Sequence, residues 1–311
     1  MPYPAGFHEV AKRVNNWGRW GPDDELGTLN LLSAEVVKAA AAEVRTGKRF
    51  SLAMKLSADG PQVGYVEGRV NPERTMVAIN HSMFEDPTVF CTSDDVVTMG
   101  LQAATHWDSL AHASYDNRIY NGFGADTITE AGAARCGIDK VSSIVGRGVL
   151  LDVQRAVAFD ASESSYCVTP EDLDAALAMA RVEVRPGDLL MIRTGHMRAF
   201  TDPARGRKVY SGAVSPGLSM HCAEWFHERD IAAVATDNMT FEIFPPESMD
   251  TWFPLHCLDL VEMGMLQGQN WVLEELADDC AVDGIYTCLL SASPEPFVNG
   301  LGSPVNPVAI K

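Results

Sequence analysis

Beyond residue 148 the chain alternates short apolar runs with helix-like stretches joined by links of a few residues. This pattern restricts it to an α/β layer around one sheet. Residues 149–153 read as a short buried strand behind Arg147-Gly148. Thr169-Pro170-Glu171-Asp172 joins a capping side chain, a proline at the first helical position and acids in the first turn, which predicts a helix to about residue 180. Pro186-Gly187-Asp188 turns the chain into the apolar strand 189–193. A helix over 219–229, a buried strand over 231–236, a helix over 251–264 carrying His256 and a last strand over 285–291 complete the pattern.

The first half is richer in strand and loop. Trp17 and Trp20 stand among turn-forming residues, and that much aromatic surface favours burial. Residues 1–33 are therefore expected to form an arm that packs on the core or on a neighbouring subunit. Ser33 caps a helix expected to run to about Arg45 and to end at Gly47. Residues 48–100 read as short strands and long connections, and 121–139 as glycine-rich and irregular. No internal repeat or dividing linker is visible, so 34–311 read as one domain.

Acidic residues outnumber basic ones by 42 to 24, a net charge of −18 that repels phosphate backbones and anionic lipid; no nucleic-acid or membrane partner is expected. No apolar run approaches the ~20 residues needed to cross a bilayer, and the N-terminus lacks a signal-peptide pattern. The seven cysteines are odd in number, scattered and without C-x-x-C, as expected of reduced thiols in a cytoplasmic protein.

Chemistry concentrates in Thr105-His106-Trp107-Asp108-Ser109-Leu110-Ala111-His112. His106 and Asp108 are two apart, so an extended backbone aims both to one side. Asp108 and His112 are four apart, so one helical turn stacks them. Imidazole with carboxylate suits Zn or Mn better than Ca or Mg, which prefer all-oxygen sites. The same residues also fit a structural role, with Asp108 as a helix cap, Trp107 and Leu110 in the core and His112 partly buried.

Other chemistries are excluded. There is no H-E-x-x-H, since His227-Glu228 lacks the second histidine, and no G-x-S-x-G or P-loop. Gly122-Phe123-Gly124 lacks the third glycine and flanking strand of a dinucleotide site. Cys257 adjoins His256, but helix neighbours point apart, which disfavours a Cys–His nucleophile pair. His8, His81, His196, His221 and His227 have no ligand-like spacing, so surface or packing roles are expected. Metal-assisted chemistry remains.

The chain resembles the metal-dependent cyclase family, which includes kynurenine formamidases and isatin hydrolases. The family motif His-x-Gly-Thr-His-x-Asp-x-x-x-His is matched in register by Thr105, His106, Asp108 and His112. The stretches 20–30, Arg147-Gly148-Val149-Leu150-Leu151-Asp152, Pro186-Gly187-Asp188 and Gly302-Ser303-Pro304-Val305-Asn306-Pro307 are similar to one longer-chain branch. The resemblance implies a swivelling β/β/α fold, a homodimer or homotetramer with arms reaching neighbouring subunits, and amide hydrolysis by metal-activated water. In formamidase members a first histidine and a later His and Glu complete a two-zinc site. Here Gln102 stands at the first position, and the later pair maps to His256 and Gln269.

Losing an imidazole and a carboxylate makes a second divalent ion harder to hold. Isatin hydrolase-like members use a single manganese held by His, Asp and Gln, so the resemblance implies one ion, Mn or Zn, on His106, Asp108 and Gln269. One carboxylate among three ligands leaves net positive charge on the ion. The expected activity is opening of a cyclic amide, imide or aryl amide of a small-molecule substrate, with His112 shuttling the proton and His256 as a second shuttle or hydrogen-bond partner. Trp17, Trp20 and Trp107 could wall a flat substrate, with core packing as their other role. An arylformamidase or lactonase on the same site, and a non-enzymatic binding protein on a decayed one, are the alternatives.

Overall fold

Val149 and Leu151 pack into one hydrophobic core and Leu150 into another, and the same alternation recurs in Leu189–Arg193 and Ala233–Thr236. The middles of these strands are apolar on both sides because both faces of the sheet are covered. The structure, a computed structural model, describes residues 3–161, 164–212 and 214–311. In chain order the principal strands are β1 (Arg49–Ser51), β2 (Glu73–Ser82), β3 (Cys91–Thr98), β4 (His106–Asp108), β5 (Val145–Asp152), β6 (Leu189–Arg193), β7 (Ala233–Thr236), β8 (Leu266–Gln269), β9 (Thr287–Ser291), β10 (Gly302–Pro304) and β11 (Val308–Ile310). Nine of them form one mixed sheet in the order β1-β11-β9-β5-β6-β7-β8-β4-β10. The run β5-β6-β7-β8 is parallel, and β4 then pairs antiparallel with β8 and β10. The α/β layer expected from the alternation is the observed architecture.

Helices α1 (Phe7–Val14), α2 (Ala34–Ala40), α3 (Pro170–Ala180), α4 (Cys222–Glu228), α5 (Pro254–His256, continuing π-helical over Cys257–Met263) and α6 (Glu274–Asp283) surround the sheet. Helix α3 begins at the expected capping box of Thr169 and Asp172. Ser33 caps α2 by accepting from Val36 N at 3.3 Å, but the α-helix stops at Ala40 and tightens into a 3₁₀ turn over Ala41–Glu43. The N-terminal stretch holds a helix that its turn-rich composition hides. Phe7, Val10 and Val14 of α1 are buried beside α4 and α5, Trp17 Nε1 donates to Val261 O at 2.7 Å, and Thr28 Oγ1 to Ala232 O at 2.7 Å. Residues 48–100, expected as short strands, contain a ten-residue and an eight-residue strand, β2 and β3, paired only with each other. Among the described residues no helix is long and apolar enough to cross a membrane.

Helix α5 is joined to β8 by a buried polar pair. Gln267 Nε2 donates to Asp259 Oδ2 at 3.0 Å, and neither residue has exposed surface. Asp259 Oδ1 and Gln267 Oε1 are left without partners. Burial pushes the Asp259 carboxyl well above the ordinary carboxylate range, the Gln267 bond opposing this only in part and Glu242 adding to it. A proton on Asp259 supplies the donor that Gln267 Oε1 lacks, so the pair is a neutral acid against an amide.

Because the folded state keeps that proton above the unfolded value of about 3.9, this pair favours folding fully below that pH. Its contribution is lost as pH rises toward the raised folded value. Asp259→Asn, a neutral isostere with its own N–H donor, should therefore be more stable than the native chain near pH 8, the advantage shrinking toward pH 4. Urea unfolding across that range checks it; parallel pH profiles for the two chains would show that Asp259 is ionised in the fold.

Candidate metal centre and active site

In β4, His106 and Asp108 face one side of the sheet and Trp107 the other. The Trp107 ring meets Trp271 edge-on at 5.0 Å, and its Nε1 donates to Ala292 O at 2.7 Å, so Trp107 is a core residue and walls no substrate. It passes over Gly268 of β8, where a Cβ would stand 2.9 Å from the indole. The register that places Gly268 opposite Trp107 places Gln269 opposite His106, on the face that carries the polar side chains. Helix α5 lies over this face and delivers His256. His112 returns by a tight turn, its N–H bonded to Ser109 O at 2.9 Å, in place of the expected helical turn.

All five sequence-chosen residues meet here. Asp108, wholly buried, has Oδ1 3.4 Å from His106 Nε2 and 3.7 Å from His112 Nε2. Gln269 Nε2 lies 2.8 Å from Asp108 Oδ2 and 3.3 Å from His256 Nε2. His106 Nδ1 donates to Ala104 O at 2.7 Å, which fixes the tautomer and leaves Nε2 as a bare lone pair. Nε2 of His106 and Oδ1 of Asp108 are both buried without a hydrogen-bond partner. Two adjacent acceptors with no donor between them suit a cation. Among the described residues no three His, Cys, Asp or Glu side chains form a metal-holding group, so an ion here would need the Gln269 amide as well. Turning that amide half a revolution exchanges its nitrogen for a carbonyl oxygen, a donor suited to Mn or Zn. The residues present fit a single divalent ion.

Burial raises the Asp108 carboxyl, but positive charge on the facing His112 and His106 rings more than offsets it and holds the group well below the ordinary range; with those rings uncharged, that compensation falls to a cation. His112 moves down, chiefly because burial disfavours its charged form, with Asp108 opposing. Its side chain is 24 % exposed, so it stands at the mouth of the recess as a neutral imidazole at pH 7.

Two residues of the site escaped the sequence reading. Glu242, almost fully buried, accepts from His256 Nδ1 at 2.6 Å, and also from the backbone N–H groups of His256 at 2.7 Å and Leu255 at 2.9 Å. Half-buried Arg69 lies close enough to act electrostatically on Asp108; burial lowers its guanidinium and Asp108 resists that. Neither carries a motif; Glu242 is a lone acid in the irregular stretch after β7. Gln102 lies against Gly302, whose strand pairs beside Asp108: a Cβ at 302 would come within 2.5 Å of its Nε2. Trp17 binds the Val261 carbonyl and Trp20 stacks under Arg19. His196 is a packing residue, its Nε2 2.8 Å from Tyr210 O and its ring stacked on Tyr210.

Residues 32–243 match the model of the family described as Cyclase. A crystal structure described as a novel cyclase superposes with a TM-score of 0.88 at 37% identity, covering 97% of this chain and 99% of that one. Isatin hydrolase A from Labrenzia aggregata, bound to benzyl benzoate, has a TM-score of 0.63 at 17% identity, covering 88% of this chain and 97% of its own. A structure described as a predicted metal-dependent hydrolase, from Bacillus stearothermophilus, has a TM-score of 0.52 at 14% identity over 85% and 98%. A comparison with curated protein sequences finds no match. With the family model matching well over half of its length and a cyclase structure aligned almost end to end, this chain belongs to the cyclase family.

Proposed function

We propose that the protein is a metal-dependent hydrolase that opens a cyclic amide, imide or aryl amide to a carboxylate. The observation that carries this is the buried, partnerless pair His106 Nε2 and Asp108 Oδ1, with the Gln269 amide beside them and a neutral imidazole at the mouth. His106, Asp108 and Gln269 would hold one Mn or Zn ion. Such an ion, when bound, supplies Lewis acidity that polarises a carbonyl and makes water a stronger acid. His112, neutral and partly exposed at the mouth of the recess, takes the proton from the attacking water and returns it to the leaving nitrogen. His256, with Nδ1–H tied to Glu242, keeps Nε2 turned into the recess beside Gln269, where its lone pair serves as the second base. Kinship of fold with an isatin hydrolase supports the cyclic-amide substrate class. Turnover of an arylformamide or a lactone is the same chemistry on a different acyl group. A binding protein on a decayed site is the second reading, favoured by glutamine at both 102 and 269.

Purified protein reconstituted with Mn or Zn should hold about one ion per chain by plasma mass spectrometry. His106→Ala and Asp108→Ala should lose it. His112→Ala should retain the ion while turnover falls ~10²–10⁴-fold, the range for a removed acid–base group. Ion retained by both ligand variants would remove the assignment. Loaded protein inert toward isatin, an arylformamide and simple lactones alike would favour the binding protein.

Glu242→Gln exchanges a carboxylate that accepts three bonds for a group that accepts at one oxygen only. The ion should stay and kcat should drop about tenfold or more as His256 loses its orientation. An unchanged kcat would leave His256 without a part in turnover.

A further inference from the structure

Arg135, Arg147, Arg155, Arg193 and Arg229, the other arginines that the fold buries wholly or in part, each form an ion pair with a carboxylate. Arg69 does not. Among the described residues its guanidinium has no hydrogen bond and no ion pair. A charge taken out of water without a partner is costly, so its missing anion has to come from outside the chain. The loop 62–70 that carries it is fastened over the stretch leading into β4. Gln62 Nε2 donates to Ala103 O at 3.0 Å, and Gly100 N to Val70 O at 3.1 Å. Gly68, with a left-handed backbone, closes the turn in which Arg69 N meets Val66 O at 3.2 Å. The Arg69 stem lies on Gly100, where a Cβ would stand 2.9 Å from its Cγ, so the glycine leaves the space the stem occupies. From there the guanidinium acts electrostatically on Asp108 and on His112, the residue at the mouth of the recess.

We propose that Arg69 is a specificity-determining residue of this site, a clamp for a carboxylate on the amine half of the substrate. This rests on the hydrolase reading above and narrows it to amides that are themselves anions. The side follows from His112. That imidazole returns the proton to the leaving nitrogen, so a guanidinium acting on it faces the nitrogen side of the scissile bond. A guanidinium is a flat fork of N–H donors that grips a carboxylate by two parallel bonds. Asp108 does not fill that place from within. It is wholly buried, with one oxygen bonded by Gln269 and the other turned to the imidazoles, and it forms no ion pair with Arg69. The net charge of −18 gives the clamp a second use: the surface as a whole repels an anionic substrate, and a local cation at the mouth offsets that repulsion where the substrate enters.

A matched pair of probes tests it: 2-formamidobenzoate and formanilide differ only in a carboxylate on the amine half. Protein loaded with Mn should prefer the first by ~10–100-fold in kcat/KM, the range for hydrogen bonds to a charged group. Arg69→Gln should bring that ratio close to one, chiefly by raising KM for the carboxylate compound, and Arg69→Lys should restore part of it. Gly100→Ala, which sets a methyl against the Arg69 stem, should lower the ratio while the bound ion is retained. A native ratio near one overturns the proposal. So does a ratio that Arg69→Gln leaves unchanged by an equal loss on both compounds or by none. Turnover of neither compound would remove the hydrolase reading, and calorimetry then decides the clamp by itself. 2-Formamidobenzoate should bind the native protein at least tenfold more tightly than formanilide and lose that advantage in Arg69→Gln; equal binding of the two by the native protein, or an advantage kept in the variant, overturns it.

Discussion

A carboxylate with no exposed surface is tolerated only where something positive or hydrogen-donating meets it, because its transfer out of water costs several kcal/mol even after relaxation. Asp108 is in that position. Gln269 Nε2 satisfies Oδ2, whereas Oδ1 faces two imidazole nitrogens, one of them the bare lone pair of His106. An imidazole that spends its Nδ1 proton on Ala104 O turns a lone pair, not a donor, toward the anion. A cation between them relieves both. The rest of the site follows from keeping this arrangement buried: tautomer, strand register and covering helix each remove one freedom that would let the acceptors turn away.

The sheet supplies that constraint at its direction reversal. Strands β5 to β8 run parallel, and β4 enters antiparallel against β8, so the polar ends of β8 and β4 lie side by side. Across this junction Gly268 admits Trp107 on the apolar face, and the one-residue offset gives Gln269 and His106 to the other. A slip by one residue would exchange a buried indole for the ligand set, so indole and glycine lock the register that the chemistry needs. Packing on one side thus specifies the site on the other.

Local patterns made much of this legible. The parallel strands announced themselves by continuous apolar runs and α3 by its capping box, because those signals are local. His106, Asp108 and His112 stood out because their spacing alone aims them together. Gln269 and His256 came only through family resemblance, since a glutamine and a histidine thirteen residues apart carry no local signature. Glu242 was invisible for a related reason: its position is set by the turn through Asn238, whose Oδ1 accepts from Phe241 N at 2.8 Å, and by a helix that begins twelve residues later. The ribbon of β2 and β3 was missed differently. Its strands bury neither face, so no period-two pattern of buried and exposed residues marks them.

Helix α5 shows how one acid can set both a fold element and a catalytic side chain. Glu242 receives the N–H groups of Leu255 and His256 at the start of α5, where the helix dipole favours an anion, and the same carboxylate holds His256 Nδ1. Burial nonetheless raises its carboxyl, with His256 opposing, so its ionised form depends on those three donors staying in place. One turn further on, Asp259 has no such donors and keeps its proton, bonding to Gln267 two residues before Gln269. The helix is therefore pinned to β8 by a neutral pair and to the loop after β7 by the three bonds that Glu242 accepts. Between the two pins the backbone widens into π-helical turns over Cys257–Met263, an irregularity that helices more often carry at functional sites. Held at both points, α5 cannot rotate His256 away from Gln269 without stranding a buried carboxyl group, which makes its orientation as costly to change as the core around it.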